Sequence, residues 1–393
     1  MMTPVDEALL DDPDALAAAD RSGVLLSLAT AGAQVREAVV RGQEAGVYDL
    51  AQDDRPRSVL VASLGGSGVI GDVLSVLAGA GSATPVAVRR GLPLPGWVGP
   101  LDLVVAVSLS GRARGPLALA AEAGRRGCRL LTVGAGESPL ADVCAQARGI
   151  HVPIVVRRHR DAPDAGPVSS RAALWSLLVP VLQAGHALRA VDVPDSVLAD
   201  TADALDREAD AARPSSESFV NPAKSLALQL AGHVPVVLAD DPLTDVVARR
   251  AVAMLARTAR TPAMQGSLPD DASEVVATFD GPFTARERDV FADPFVDPPT
   301  GPTQRLLLLR EPPPEPGRDD QAAFERAALA DRVRELARDV GVPVSEVAAE
   351  RGHDLVRLAG LVARTDFTSV YLALGMGLDP VTSPHVADLR DAR

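Results

Sequence analysis

Between residues 58 and 156, short apolar runs alternate with segments of helical character, and this alternation restricts the fold more than any other feature. Strands are predicted at 58–63, 85–89, 102–107, 129–133 and 151–156, with helices at 69–77, 116–124 and 139–147. Such strands, each followed by a helix, are βαβ units, and they build a parallel sheet covered on both faces. Ligands of open α/β sheets bind at the carboxyl ends of the strands. The segments to examine first are therefore those that leave a predicted strand and enter a helix.

The second half repeats the theme. Helices are predicted at 171–186, 196–212, 221–231, 245–259 and 322–340, and strands at 233–238 and 304–309. Ahead of everything, residues 12–46 read as helical. The chain is thus expected to be α/β, with an N-terminal helical arm (1–46), a first α/β domain (47–193) and a second (194–393). At 393 residues and 47% hydrophobic, two domains are the natural division. The net charge of −13 excludes a general nucleic-acid binder or a protein of anionic membrane surfaces. A small anion can still be held locally, by backbone amides at a helix start. Cys128 and Cys144 are the only cysteines, which gives neither a disulfide framework nor zinc spacing and points to the cytoplasm. No cofactor, metal or membrane span is expected.

Two strand-to-helix segments carry the pattern of an anion cradle. The first is Leu64-Gly65-Gly66-Ser67-Gly68-Val69-Ile70-Gly71-Asp72. Its glycines allow a tight turn and close approach, and the helix that follows offers amides and a partial positive charge. The second is Ser108-Leu109-Ser110-Gly111-Arg112, with two hydroxyls and a glycine ahead of a helix. Gly66-x-Gly68-x-x-Gly71 also fits a dinucleotide fingerprint, with Arg89-Arg90 placed to receive the 2′-phosphate of NADP. That dehydrogenase reading leaves the second loop without a role, whereas a sugar phosphate uses both.

The LGGSGVIGD and SLSG stretches resemble the sugar isomerase (SIS) domain, and more closely the bacterial and archaeal bifunctional phosphoglucose/phosphomannose isomerases. Ser170-Arg171-Ala172-Ala173-Leu174 is similar to that family's Pro-Arg-x-x-Leu signature. Residues 221–227 (NPAKSLA), 366–373 (DFTSVYLA) and 377–380 (GLDP) resemble second-domain segments in the family's order. The resemblance implies two SIS-like, flavodoxin-like domains with mostly parallel sheets flanked by helices, a site between them, and a homodimer. It also implies a glucose, fructose or mannose 6-phosphate ligand held by Gly66, Ser67, Ser108, Ser110, Gly111, Arg112 and Arg171. The catalytic positions depart from the pattern. Arg257 falls where the family has its basic Glu, and a guanidinium cannot accept a proton near neutrality. The ring-opening His has no counterpart between His233 and His353. Arg390 takes the place of the C-terminal Lys, and Glu274 is the nearest carboxylate that could act as base. Two outcomes follow: an aldose–ketose isomerase working through Glu274 and Arg390, or a non-catalytic sensor or partner subunit that binds the sugar phosphate.

Overall fold

The computed structural model describes residues 5–52, 54–62, 67–154, 171–284, 301–313, 320–383 and 385–386. The chain opens with four helices, α1 (Glu7–Asp11), α2 (Pro13–Ala19), α3 (Val24–Ala29) and α4 (Ala31–Glu44). The helical pattern is broken where the sequence supplies caps. Asp12 accepts the amides of Asp14 and Ala15, both at 3.0 Å, and Pro13 occupies the first turn of α2. Asp20 accepts the amides of Val24 and Leu25 at 2.9 and 2.8 Å, and Gly23 turns the chain at a φ of 60°.

The first sheet is built from β1 (Val59–Ala62), α5 (Gly68–Ala78), β2 (Val86–Arg89), β3 (Leu103–Ser108), α6 (Arg114–Arg125), β4 (Arg129–Ala135), α7 (Pro139–Gln146) and β5 (Ile150–Ile154). All five strands are parallel, in the order β2-β1-β3-β4-β5. On one face, Leu60, Val104, Ala106 and Leu130 pack with Leu119 and Ala123 of α6 and Leu140 and Cys144 of α7. The helix α8 (Leu174–Ala187), buried along nearly its whole length, packs against α4 and α5 and against the sheet. Burial on both faces explains why β1, and β3 up to its terminal Ser108, are apolar instead of alternating. The long helix α9 (Asp195–Ala211) follows.

The second sheet comprises α10 (Pro222–Leu230), β6 (His233–Ala239), α11 (Pro242–Thr258), β7 (Met264–Ser267), α12 (Ala272–Ala277), β8 (Thr303–Arg310), α13 (Gln321–Asp339), β9 (Val344–Ala348) and α14 (Asp354–Gly375). Its strands are also parallel, in the order β7-β6-β8-β9. This repeats the arrangement β2-β1-β3-β4, so β6 corresponds to β1 and β8 to β3. Val236, Leu238, Leu306 and Leu308 pack with Val275, Phe279 and Val333 to form its core.

The chain divides into two compact units. One, the first-sheet unit, comprises Leu26–Ala209 with His353–Ala359. The other, the second-sheet unit, comprises Met1–Leu25, Asp210–Gly352 and Gly360–Arg393. Within the second-sheet unit the chain's single lysine, Lys224, is fully buried on α10. Its ammonium donates to the carbonyls of Pro214 at 2.8 Å, Ser216 at 2.7 Å and Leu10 of α1, and lies 5.5 Å from the centre of the Tyr371 ring. Three donors meet three acceptors, so the ammonium is satisfied without a carboxylate. The contact fastens α1 to residues more than 200 positions away.

Candidate functional site

In the first sheet the chain runs outward from β1 to β2, then crosses back to place β3 on the other side of β1. The connections that leave β1 and β3 run to opposite sides, which makes the carboxyl ends of these two paired strands the topological switch point. Ala62, the last residue of β1, pairs with Ala106 of β3. Of the first loop, residues 63–66, including Gly66, lie outside the described residues; Ser67 begins α5. Gly71, one turn into α5, lies against the sheet. A Cβ there would come within 2.7 Å of Val88 and 3.4 Å of Val61. This glycine is required by the close packing of helix on strand.

The second loop is held from its far side. Ser108, buried at the end of β3, lies beside Gly134 of β4, where a Cβ would sit 2.2 Å from the Ser108 carbonyl. Leu109 accepts the Ala135 amide at 3.2 Å. Gly111 donates to the Ser108 carbonyl at 3.0 Å and accepts from Leu140 at 3.1 Å. Its φ of 64° is a left-handed value that glycine adopts without strain. A Cβ at Gly111 would lie 2.2 Å from Ser138 Oγ. Ser138 donates to the Ala135 carbonyl at 2.7 Å and caps α7 by accepting the Ala141 amide at 3.3 Å. The loop after β3 is thereby clamped onto the turn after β4.

Ser110 is exposed, and its Oγ accepts the Arg112 amide at 3.3 Å. Arg112 is exposed as well. The residue capping α6 is Ala113, which has no side chain able to accept an amide, and Ser67 at the head of α5 makes no side-chain capping bond. Among the described residues, two helix N-termini therefore start at the switch point without a side-chain cap, on segments that carry Ser67, Ser108, Ser110 and Arg112. That combination suits a compact oxyanion, which accepts from amides, hydroxyls and a guanidinium together.

Arg171 is nearly buried on the turn that leads into α8, in the same unit. Arg89 and Arg90 are engaged within the protein: Arg89 Nε donates to the carbonyls of Gly91 and Pro93 at 2.8 and 3.1 Å, and Arg90 pairs with both carboxylate oxygens of Asp72.

The remaining candidates belong to the second-sheet unit. Glu274 is exposed on the first turn of α12, and Arg390 lies outside the described residues. Arg257 stands in the last turn of α11, partly buried. Two turns earlier on the same helix, Arg250 grips Asp366 of α14: Nε lies 3.0 Å from each carboxylate oxygen and Nη2 2.6 Å from Oδ2, with both side chains about 95% buried. Burial pushes the Asp366 carboxyl upward, opposed by the Arg250 guanidinium and then by the field of Arg257. The Asp366 segment was legible only as a family motif; its partner 116 residues away was not.

Residues 219–392 match the family model of the bacterial phospho-glucose isomerase C-terminal SIS domain. Over 349 residues the chain is 24% identical to the bifunctional phosphoglucose/phosphomannose isomerase of Caldicellulosiruptor bescii, covering 88% of this chain and 92% of that protein. Its fold is similar to that of a hypothetical protein from Thermus thermophilus, with a TM-score of 0.66, 15% identity, and coverage of 100% of this chain and 98% of that one. It is also similar to the glucose-6-phosphate isomerase of Chlamydia trachomatis, with a TM-score of 0.64, 11% identity, and coverage of 93% and 77%. The family model spans the second sheet, and the likeness to the Thermus thermophilus protein spans both.

Proposed function

We propose that this chain, which belongs to the SIS-domain, phosphosugar-isomerase-like superfamily, binds a phosphorylated hexose with its phosphate at the switch point of the first sheet. The ligand is of the glucose, fructose or mannose 6-phosphate class. Ser67, Ser108, Ser110 and the leading amides of α5 and α6 receive the phosphate, with Gly66 and Gly111 shaping the approach and Arg112 and Arg171 supplying positive charge. One observation carries the reading: among the described residues both helices that start at the switch point lack a side-chain cap, and the segments leading into them carry Ser67, Ser108 and Ser110. A dinucleotide is disfavoured by the engagement of Arg89 and Arg90 within the protein. Among the described residues no helix is long and apolar enough to cross a membrane. The reading includes a cytoplasmic homodimer.

Binding without turnover is favoured by the state of Arg257. Isomerisation moves a proton between C1 and C2 through an enediolate, and needs a base that can release and regain it. At the position of the family's base this chain has a guanidinium, and that guanidinium acts on the buried Asp366. The relative named as an isomerase supports the second reading, in which the exposed Glu274 carries the proton and Arg390 steadies the enediolate.

Fructose 6-phosphate tests both readings. It should raise the melting temperature of the protein, and the paired change Ser108→Ala and Ser110→Ala should remove that shift. A shift that survives the pair puts the pocket elsewhere. In D2O, deuterium entering C2 of the sugar above the level of the Ser108/Ser110 variant establishes turnover, and Glu274→Gln should then abolish it. Stabilisation with no deuterium establishes a binding protein.

A further inference from the structure

The switch point of the second sheet holds an anion too, but one that belongs to the protein. Asp240 follows directly on β6, the strand that corresponds to β1, and is 4% exposed. Its Oδ1 accepts the amide of Glu311 at 2.9 Å, with the Thr244 hydroxyl, shared with the Asp241 carbonyl at 2.9 Å, at 3.4 Å. Its Oδ2 faces Arg310 Nε at 3.4 Å. Arg310 ends β8, the strand that corresponds to β3, and Glu311 is the first residue beyond it. A backbone amide from one loop, a hydroxyl from the start of a helix and a guanidinium make a donor set of the kind expected around a phosphate on the first sheet.

We infer that the Asp240 carboxylate occupies a built anion pocket at the second switch point, so that the chain takes one sugar phosphate, on the first sheet, and the second pocket opens to inorganic phosphate when this carboxylate is removed. The inference rests on the proposed function for its comparison with the first sheet. The pocket itself stands on the Asp240 geometry alone.

Three features keep free anions out while Asp240 is present. The carboxylate is tethered one residue beyond β6, at an effective concentration no free phosphate in solution reaches. Its neighbours add negative charge: Asp331 lies 2.6 Å and Glu346 3.6 Å from Arg310 Nη1, and Asp241 is paired with Arg326 at 2.7 Å. The head of α11 is closed as well, because Asp241 caps it by accepting the Leu243 amide at 3.0 Å, and Thr244 Oγ1 accepts the Asp241 amide at 3.0 Å. Burial pushes the Asp240 carboxyl above the ordinary carboxylate range, opposed by the Glu311 amide and then by Arg310.

The test uses the full chain carrying Ser108→Ala and Ser110→Ala, so that the first sheet is silent, with and without Asp240→Gly. The melting temperature is read in potassium phosphate, acetate and chloride at equal ionic strength. With Asp240 intact, phosphate should give no gain over chloride. With Asp240→Gly, the melting temperature should fall in chloride and recover by several degrees in phosphate. Asp240→Asn, which keeps an acceptor for the Glu311 amide and fills the space, should show no phosphate response. If the glycine variant does not fold in chloride, the yield of refolding in phosphate against chloride gives the same answer. A phosphate gain with Asp240 intact overturns the inference, as does a glycine variant rescued by acetate alone or by nothing. Failure here leaves the fructose 6-phosphate shift of the unmodified chain untouched, so the two readings fall separately.

Discussion

Gly111→Ala probes how the second loop is held in shape. The added methyl meets two separate obstacles. A φ of 64° is left-handed, and an alanine there costs about 1–2 kcal/mol. The methyl would also lie 2.2 Å from Ser138 Oγ and 2.4 Å from Ser138 Cβ, so a change of rotamer at Ser138 does not relieve the overlap. The turn after β4 must move. That movement strains the Ser138 bond to Ala135 and the cap on α7, together about 1–2 kcal/mol. The expected loss is about 3 kcal/mol, or roughly 6–12 °C in melting temperature for a unit of this size. Ser138→Gly separates the two obstacles, because it removes the atoms in the way but leaves the backbone strain. Alone it should cost a few tenths to 1 kcal/mol through the lost cap, about as a capping residue does. In combination it should recover about 1–2 kcal/mol of the Gly111→Ala loss, a positive coupling that urea unfolding of the four proteins measures. Gly111→Ala should also weaken the shift produced by fructose 6-phosphate, since the Ser110 hydroxyl is carried on the same turn. A Gly111→Ala protein within about 0.5 kcal/mol of its parent, or losses that simply add in the double variant, would falsify the clamp.

Two further outcomes follow from the buried charges. Lys224→Met leaves three carbonyls without their ammonium, and the net loss should be about 2–4 kcal/mol after the desolvation of the charge is recovered. Because Lys224 is the only lysine, an endoprotease specific for lysine has one bond to cut, and native cleavage slower than that of the unfolded chain by less than a hundredfold would show that the side chain is not held as described. Burial tends to raise the Asp102 carboxyl, but bonds from Arg57, the Gly99 amide and Ser58 outweigh it and hold the group below its usual value. A depressed carboxyl stabilises the fold above the unfolded value near 4, and that contribution is lost as pH falls through the folded value. Asp102→Asn should therefore flatten the acid side of the stability profile, and an unchanged acid limb in urea titrations from pH 5 to 2 would contradict the assignment.

The elements most legible from sequence are those with a concentrated apolar run. The strands of the first sheet, and β6 and β8 of the second, each carry a run of apolar residues, and the structure places each within about two residues of its expected position. The strands that escaped notice are β7 (Met-Gln-Gly-Ser) and β9 (Val-Ser-Glu-Val-Ala), the two edges of the second sheet. An edge strand has a neighbour on one side only and keeps polar residues where a central strand cannot, so its apolar signature fades. The helical arm read as continuous because apolar spacing carries across a cap; Asp12 and Asp20 divide it through hydrogen bonds that spacing does not record.

The sequence by itself determined the alternation of strands and helices in the first sheet and named the residues proposed to meet a phosphate: Ser67, Ser108, Ser110 and the glycines among them. These are local properties of a strand followed by a turn and a helix. It did not determine which hydroxyls are available. Ser67 and Ser138 both stand at the head of a helix, yet Ser138 caps α7 and closes on Gly111, while Ser67 makes no capping bond. Nor did it reveal that Asp240 would lie against Arg310 and Glu311, some 70 residues on, or that Arg250 would be bound to Asp366. Whether a polar group is open to a ligand or already engaged depends on partners that only the packing of distant strands and helices brings within 3 Å.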